Sequence, residues 1–170
     1  STDYVFCEGV DKDVTDTPMP ANVYGTQKHQ AEIAVRKHLP SAVILRVPVL
    51  FSTHQSSLAE SSVTKVVTDI LDISKTIHLD ADIVRFPTSC EAVSAVIGMV
   101  YDNPETYQGV YHFTSTEGYT KYELGCIAKA LLHVSVEVRK DTRQPATTDA
   151  SRAPRPRKIL LKPNIWLKDT

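Results

Sequence analysis

Residues 42–50 read Ala-Val-Ile-Leu-Arg-Val-Pro-Val-Leu, an almost unbroken β-branched and aliphatic run. A strand that is apolar on both faces has to be covered on both, which is the habit of parallel sheets flanked by helices. The residues before it agree. Positions 21–39 hold helix formers and no proline, Tyr24, Ala31, Ala34, Val35 and Leu39 recur near the helical period, and Pro40 stops the pattern. A helix feeding directly into such a strand predicts an α/β fold with a parallel sheet.

The same grammar recurs downstream. Residues 61–73 repeat Val63, Val66, Val67, Ile70, Leu71 and Ile73 as an amphipathic helix. Short strands are predicted around 77–79 and 83–86. Thr88-Ser89-Cys90-Glu91 then has the form of a capping box, opening a helix over 90–101, and Thr120-Lys121-Tyr122-Glu123 has it again, opening a helix to 132. Between them residues 110–113 read as a strand, and 134–138 alternate as another. Residues 1–6 suit the end of a strand. Residues 7–20 are polar, Asp-rich and expected to be loop, as are 141–158, where Pro145, Pro154 and Pro156 interrupt any regular pattern.

With 170 residues, 42% hydrophobic and 23% charged, the chain can bury a core of its own. A net charge of -1 argues against nucleic acid or an anionic membrane as principal partner. No apolar run approaches the roughly 20 residues that span a bilayer, and no signal sequence opens the chain. Cys7, Cys90 and Cys126 are widely spaced, so they are expected to be buried, reduced thiols of a cytoplasmic protein. The six histidines, His29, His38, His54, His78, His112 and His133, form no H-x-x-x-H or H-E-x-x-H pair, and no metal site is expected.

Chemistry concentrates in Tyr24-Gly25-Thr26-Gln27-Lys28, a phenol and an ammonium four positions apart and therefore on one helix face. A cation beside a phenol stabilises the phenolate and brings Tyr closer to proton exchange with an alcohol or carbonyl. Read alone, the pair is equally a solvated helix face. Its setting sharpens it: Ser1-Thr2-Asp3-Tyr4-Val5-Phe6 comes before, Pro20-Ala21-Asn22-Val23 leads in, and the run ending at Phe51 follows.

In that order these pieces resemble the central block of extended short-chain dehydrogenase/reductases. Within them the chain resembles the dTDP-4-dehydrorhamnose reductase-like family, which includes the regulatory beta subunit of methionine adenosyltransferase. Arg85-Phe86-Pro87-Thr88, Gly109-Val110-Tyr111-His112-Phe113, Thr120-Lys121-Tyr122-Glu123 and Arg155-Pro156-Arg157 look closer to that beta subunit. The resemblance implies the carboxy-terminal half of a Rossmann-like doubly wound parallel sheet plus a small α/β substrate-binding lobe. Residues 1–52 would be the second half of the dinucleotide-binding domain, and 53–170 mainly the lobe, with some returning Rossmann elements.

By the same resemblance Thr2, Tyr24 and Lys28 are the catalytic set. Thr2 would hydrogen-bond a substrate carbonyl, Tyr24 would act as general acid, and Lys28 would hold the nicotinamide ribose. Arg46, Val47, Pro48 and Val49 are expected to join Tyr24 and Lys28 near the cofactor, NADP or NAD, because ligands of open α/β sheets sit beyond the carboxyl ends of strands. Tyr4, Phe51, Arg85 and Arg155 fall on the substrate side. Partners implied are a methionine adenosyltransferase catalytic subunit or, in the reductase alternative, a nucleotide-linked 4-keto sugar.

Two departures bear on that reading. The family places a Gly after the strand that here runs into Ser52-Thr53-His54, and an Asp-Gly where this chain has Cys7-Glu8-Gly9. None of the six glycines forms the G-x-G-x-x-G turn that seats a pyrophosphate on a helix N-terminus. Since the chain opens without Met on a strand-like segment, it is expected to begin in the middle of a fold. The amino-terminal half would then precede it in a longer protein or come from a separate chain; alone, this piece would bind dinucleotide weakly or be an inactive fragment.

Overall fold

Neighbouring segments in this chain do not pair with each other; each strand finds its partner far along the sequence. The computed structural model describes residues 1–54, 57, 61–141 and 154–167. Strand β1 (Gly9–Lys12) pairs with β8 (Ile159–Leu161), β2 (Val43–Arg46) with β6 (Gly109–His112), β3 (Leu50–Phe51) with β5 (Thr88–Ser89), and β4 (Ile77–Asp80) with β7 (Val138–Asp141), all in parallel. Parallel neighbours need crossovers. Here these contain α1 (Val23–His38), α2 (Lys65–Leu71), α3 (Cys90–Asp102) and α4 (Lys121–Leu132).

Two separate apolar clusters hold the chain together. Val5, Phe6, Ile159 and Leu161 form one, under β1 and β8. Val66, Ile70, Ile77, Leu79, Ala128 and Val136 form the other, where α2 and α4 cover β4 and β7. Each buried Val, Leu, Ile or Phe of these clusters contributes about 1.5–3 kcal/mol.

The long apolar run is not one strand. Pro48 has no N–H to give a ladder, and at that point the chain changes partner: β2 runs beside β6, whereas β3 beyond it runs beside β5, joined by the Thr88 amide donating to Val49 O at 3.0 Å. The opening segment also differs from a strand end. Only Thr2 bridges the sheet, beside Val47, and Asp3–Val5 is a 3-10 turn, started by the Tyr4 amide donating to Thr2 Oγ1 at 3.3 Å.

Non-local pairing overrides three other local readings. Residues 7–20 contain β1, and just past the polar region 141–158 comes β8, two short strands visible only once they meet. The strand expected over 134–138 begins where that segment ends, at Val138. Of the polar region itself, 142–153 lies outside the described residues. The helix at 61–73 is confined to α2.

The caps follow sequence more closely, with one correction. Thr120 and Glu123 form the reciprocal capping box at the start of α4. At α3, however, Ser89 is the cap; Thr88 is in β5, and Glu91 turns to the Ser52 and Ser89 hydroxyls at 2.5 and 2.6 Å. The Ser52 hydroxyl first, then that of Ser89, holds the Glu91 carboxyl well below the usual carboxylate range. Cys90 and Cys126 are half-buried, but Cys7 is exposed, because it lies in the bend before β1 and not in a core. Among the described residues no helix is long and apolar enough to cross a membrane.

Candidate functional site

Helix α1 does not bury the face its apolar spacing suggests. Tyr24, Ala31, Ala34, Val35 and Leu39 are exposed, and the inward positions are Gly25 and Glu32. The reason lies at both contacts. A Cβ on Gly25 would stand 2.1 Å from the carbonyl oxygen of Tyr4 and 2.9 Å from Cβ of Pro20, so only glycine lets the helix start against the opening turn. One turn past Lys28, Glu32 meets Arg46 of β2: Nε donates to Oε1 at 3.0 Å and Nη2 to Oε2 at 2.7 Å. Both side chains are almost fully buried.

That close approach sets Tyr24 against the tip of the sheet. Its ring meets the Tyr4 ring edge-on, with centroids 5.8 Å apart. Arg85 secures Tyr4 from the other side: its guanidinium stacks over the Tyr4 ring at 5.5 Å and donates to the Tyr4 hydroxyl at 3.0 Å. These residues open onto a cleft of about 480 Å³. Thr2, Tyr4, Tyr24, Val47, Pro48, Val49, Arg85 and Arg155, eight of the expected site residues, line it together.

Three expected residues are not on its wall. Arg46 is turned to the opposite side of β2, where Glu32 takes its fork, His112 Nε2 accepts from Nη1 at 3.2 Å, and the Phe6 ring lies under the guanidinium at 5.3 Å. The strand alternation explains this: Arg46 and Val47 face opposite ways. Phe51 is half-buried in β3 beside Ser89. Lys28 sits half-buried one turn after Tyr24 on the same helix face, outside the wall itself.

Asp3, Leu50, Ser62, Asp80, Ile83 and Lys121 join the cleft without having been singled out. Asp3 was within reach of sequence reasoning, being the neighbour of Thr2. It is only 4% exposed and accepts the Thr2 hydroxyl at 3.0 Å. Burial pushes its carboxyl up to about 6, against the opposing pull of the Thr2 hydroxyl and the Arg85 charge. Leu50 likewise adjoins Val49, whereas Ser62, Asp80 and Lys121 come from segments that only the fold brings here. His112, buried behind the cleft, is driven down to about 4 by burial and by the Arg46 charge, so it is neutral at neutral pH.

Parallel strands with helical crossovers, a Thr bridged to the sheet at Val47, and a Tyr one residue inside α1 define a Rossmann-like α/β protein with a cleft beside the end of β2. The chain belongs to the RmlD substrate-binding-domain family, whose model matches residues 1–169. It is 34% identical over 158 residues to methionine adenosyltransferase 2 subunit beta of Danio rerio, covering 89% of this chain and 48% of that protein. The Bos taurus subunit is 33% identical over 167 residues, covering 95% and 48%. The chain thus spans about half the length of the curated relatives it matches. Among solved structures, dTDP-4-dehydrorhamnose reductase of Bacillus anthracis in complex with NADP superposes with a TM-score of 0.74 at 23% identity, over 96% of this chain and 54% of that one. DesIV, a dTDP-glucose 4,6-dehydratase of Streptomyces venezuelae with NAD bound, gives 0.67 at 22% identity, over 82% and 45%. At these identities the two structures establish the fold.

Proposed function

We propose that the protein to which this chain belongs binds NADP or NAD with the nicotinamide end in the Thr2–Tyr24 cleft, and acts as a regulatory subunit of a methionine adenosyltransferase. The observation that carries the reading is the convergence of Thr2, Tyr24 and the Val47–Val49 turn on one cleft wall, in a chain with 34% identity to the beta subunit. The residues fit the nicotinamide half of a dinucleotide: Val47, Pro48 and Val49 offer an apolar wall, and Lys28 is one helical turn from Tyr24 to donate to a ribose hydroxyl. The glycine turn for the pyrophosphate is not among these 170 residues.

When bound, the cofactor would supply or accept hydride. The chain's own part is positioning: Thr2, once its hydroxyl turns from Asp3, would donate to a carbonyl oxygen, Tyr24 would hold a proton beside it, and Arg85 fixes Tyr4 so that Tyr24 keeps its orientation. Arg155 and Lys121 bring positive charge to the same cleft. This retained arrangement favours a second reading, reduction of a nucleotide-linked 4-keto sugar, since a purely regulatory site has no need of a hydroxyl and a phenol on one wall.

Assaying the full-length protein separates the two. In the regulatory reading it co-purifies with a methionine adenosyltransferase catalytic subunit and changes that enzyme's kinetics, and Tyr24→Phe leaves both effects in place. NADPH oxidation driven by a dTDP-4-keto sugar and abolished by Tyr24→Phe overturns that reading in favour of the reductase.

A further inference from the structure

Asn22 does two jobs with one amide. Its Oδ1 accepts from the Gly25 amide at 2.9 Å, capping α1 two residues before Tyr24, and its Nδ2 donates to Pro154 O at 2.9 Å, across 132 residues of sequence. The two partners dictate the amide's orientation, because an N–H needs an acceptor and a carbonyl needs a donor. Asp or Ser would serve the cap equally well. Neither an ionised carboxylate nor a short hydroxyl committed to Gly25 could also hold the distant carbonyl.

The segment it holds carries Arg155. Beyond Pro154, Arg85 Nη1 donates to Pro156 O at 3.0 Å, the Val84 amide to Arg157 O at 2.8 Å, and the Gly9 amide to Lys158 O at 3.0 Å. Arg155 therefore sits on the cleft wall between two tie points, one leading to the helix of Tyr24 and the other, through Arg85 and Tyr4, to the Tyr24 ring. We propose that Asn22 is a positioning residue of the cleft: it ties the Arg155 segment to the start of the Tyr24 helix, so that the cationic rim and the phenol keep a fixed spacing. This concerns the cleft's architecture and holds whichever ligand occupies it.

Amide hydrogen exchange by NMR on the full-length protein tests it, through three reporters. The Gly25 amide reads the cap, and the Val84 and Gly9 amides read the segment. In Asn22→Asp the cap acceptor survives and the donor is lost: Val84 and Gly9 should exchange about fivefold faster than in the wild type, the effect of losing one neutral hydrogen bond, with Gly25 unchanged. Asn22→Ala should speed all three. In the Asp variant the difference from wild type should close below about pH 4, where the protonated carboxyl regains a donor for Pro154 O. A pH-independent loss in the Asp variant, no change at Val84 and Gly9, or a Gly25 response as large as that of Asn22→Ala would each overturn the proposal.

Discussion

Glu32→Ala should destabilise the fold by about 3–5 kcal/mol, because it leaves the Arg46 guanidinium buried without its counter-charge. Arg46 is 3% exposed and Glu32 6%, and their two hydrogen bonds of 3.0 and 2.7 Å form a bidentate pair at the contact between α1 and β2. Among the described residues the other side-chain hydrogen-bond partner of Arg46 is His112, itself neutral at neutral pH. Removing both charges with Glu32→Leu and Arg46→Met should recover part of the loss, since the desolvation penalty disappears with them. Urea denaturation of the two variants against wild type measures this; a Glu32→Ala loss below about 1 kcal/mol would show that the pair does not carry the packing of α1. Burial raises the Glu32 carboxyl, but the Arg46 hydrogen bonds and charge outweigh it and leave it below its ordinary value. Its contribution is therefore present above the unfolded-state pKa and fades as pH falls through the folded one.

Asp3→Asn should do the opposite and stabilise the protein at neutral pH. The Asp3 carboxyl is raised from 3.8 to about 6, so the folded state binds its proton more tightly than the unfolded state does. Stability then declines as pH rises between those values and stays at its lower level above them. At ~1.4 kcal/mol per pH unit the difference comes to about 3 kcal/mol. Asn keeps an acceptor for the Thr2 hydroxyl and carries no charge to desolvate, so the variant should gain about 2–3 kcal/mol at pH 7.5 and nothing at pH 4. Thermal unfolding across that range checks the sign; a variant less stable than wild type at pH 7.5 would mean that the ionised carboxylate is held favourably. A stabilising substitution at this position would also mark Asp3 as retained for the cleft at a cost in stability.

What could be read locally was read well. The Tyr24–Lys28 helix, the capping box at Thr120 and the strand at 109–112 depend on neighbours within a few residues, and the structure places them near the expected positions. The failures are non-local. β1 is short and polar and β8 is only three residues long, so neither announces itself, and they become strands by pairing across 150 residues, Gly9 with Ile159. Arg46 sits in an apolar run beside a cleft and looked like a ligand residue; strand alternation sends it to Glu32, a partner that no spacing rule connects to it. Helix α1 was assigned an apolar inner face, whereas a glycine and a carboxylate occupy it, each answering to a specific neighbour. Cleft residues such as Ser62 and Asp80 carry no motif at all and are brought in by the fold.

The account stands on the cleft wall of Thr2, Tyr24 and Val47–Val49 being one end of a dinucleotide site, with Lys28 in reach of the ribose. Titrating NADPH into the full-length protein and into its Lys28→Ala variant, with nicotinamide fluorescence as the signal, measures that directly. Saturable binding that weakens tenfold or more in the variant, about the worth of one charge-assisted hydrogen bond, is the predicted result. A wild type that does not bind, or a variant that binds as tightly as the wild type, would contradict it.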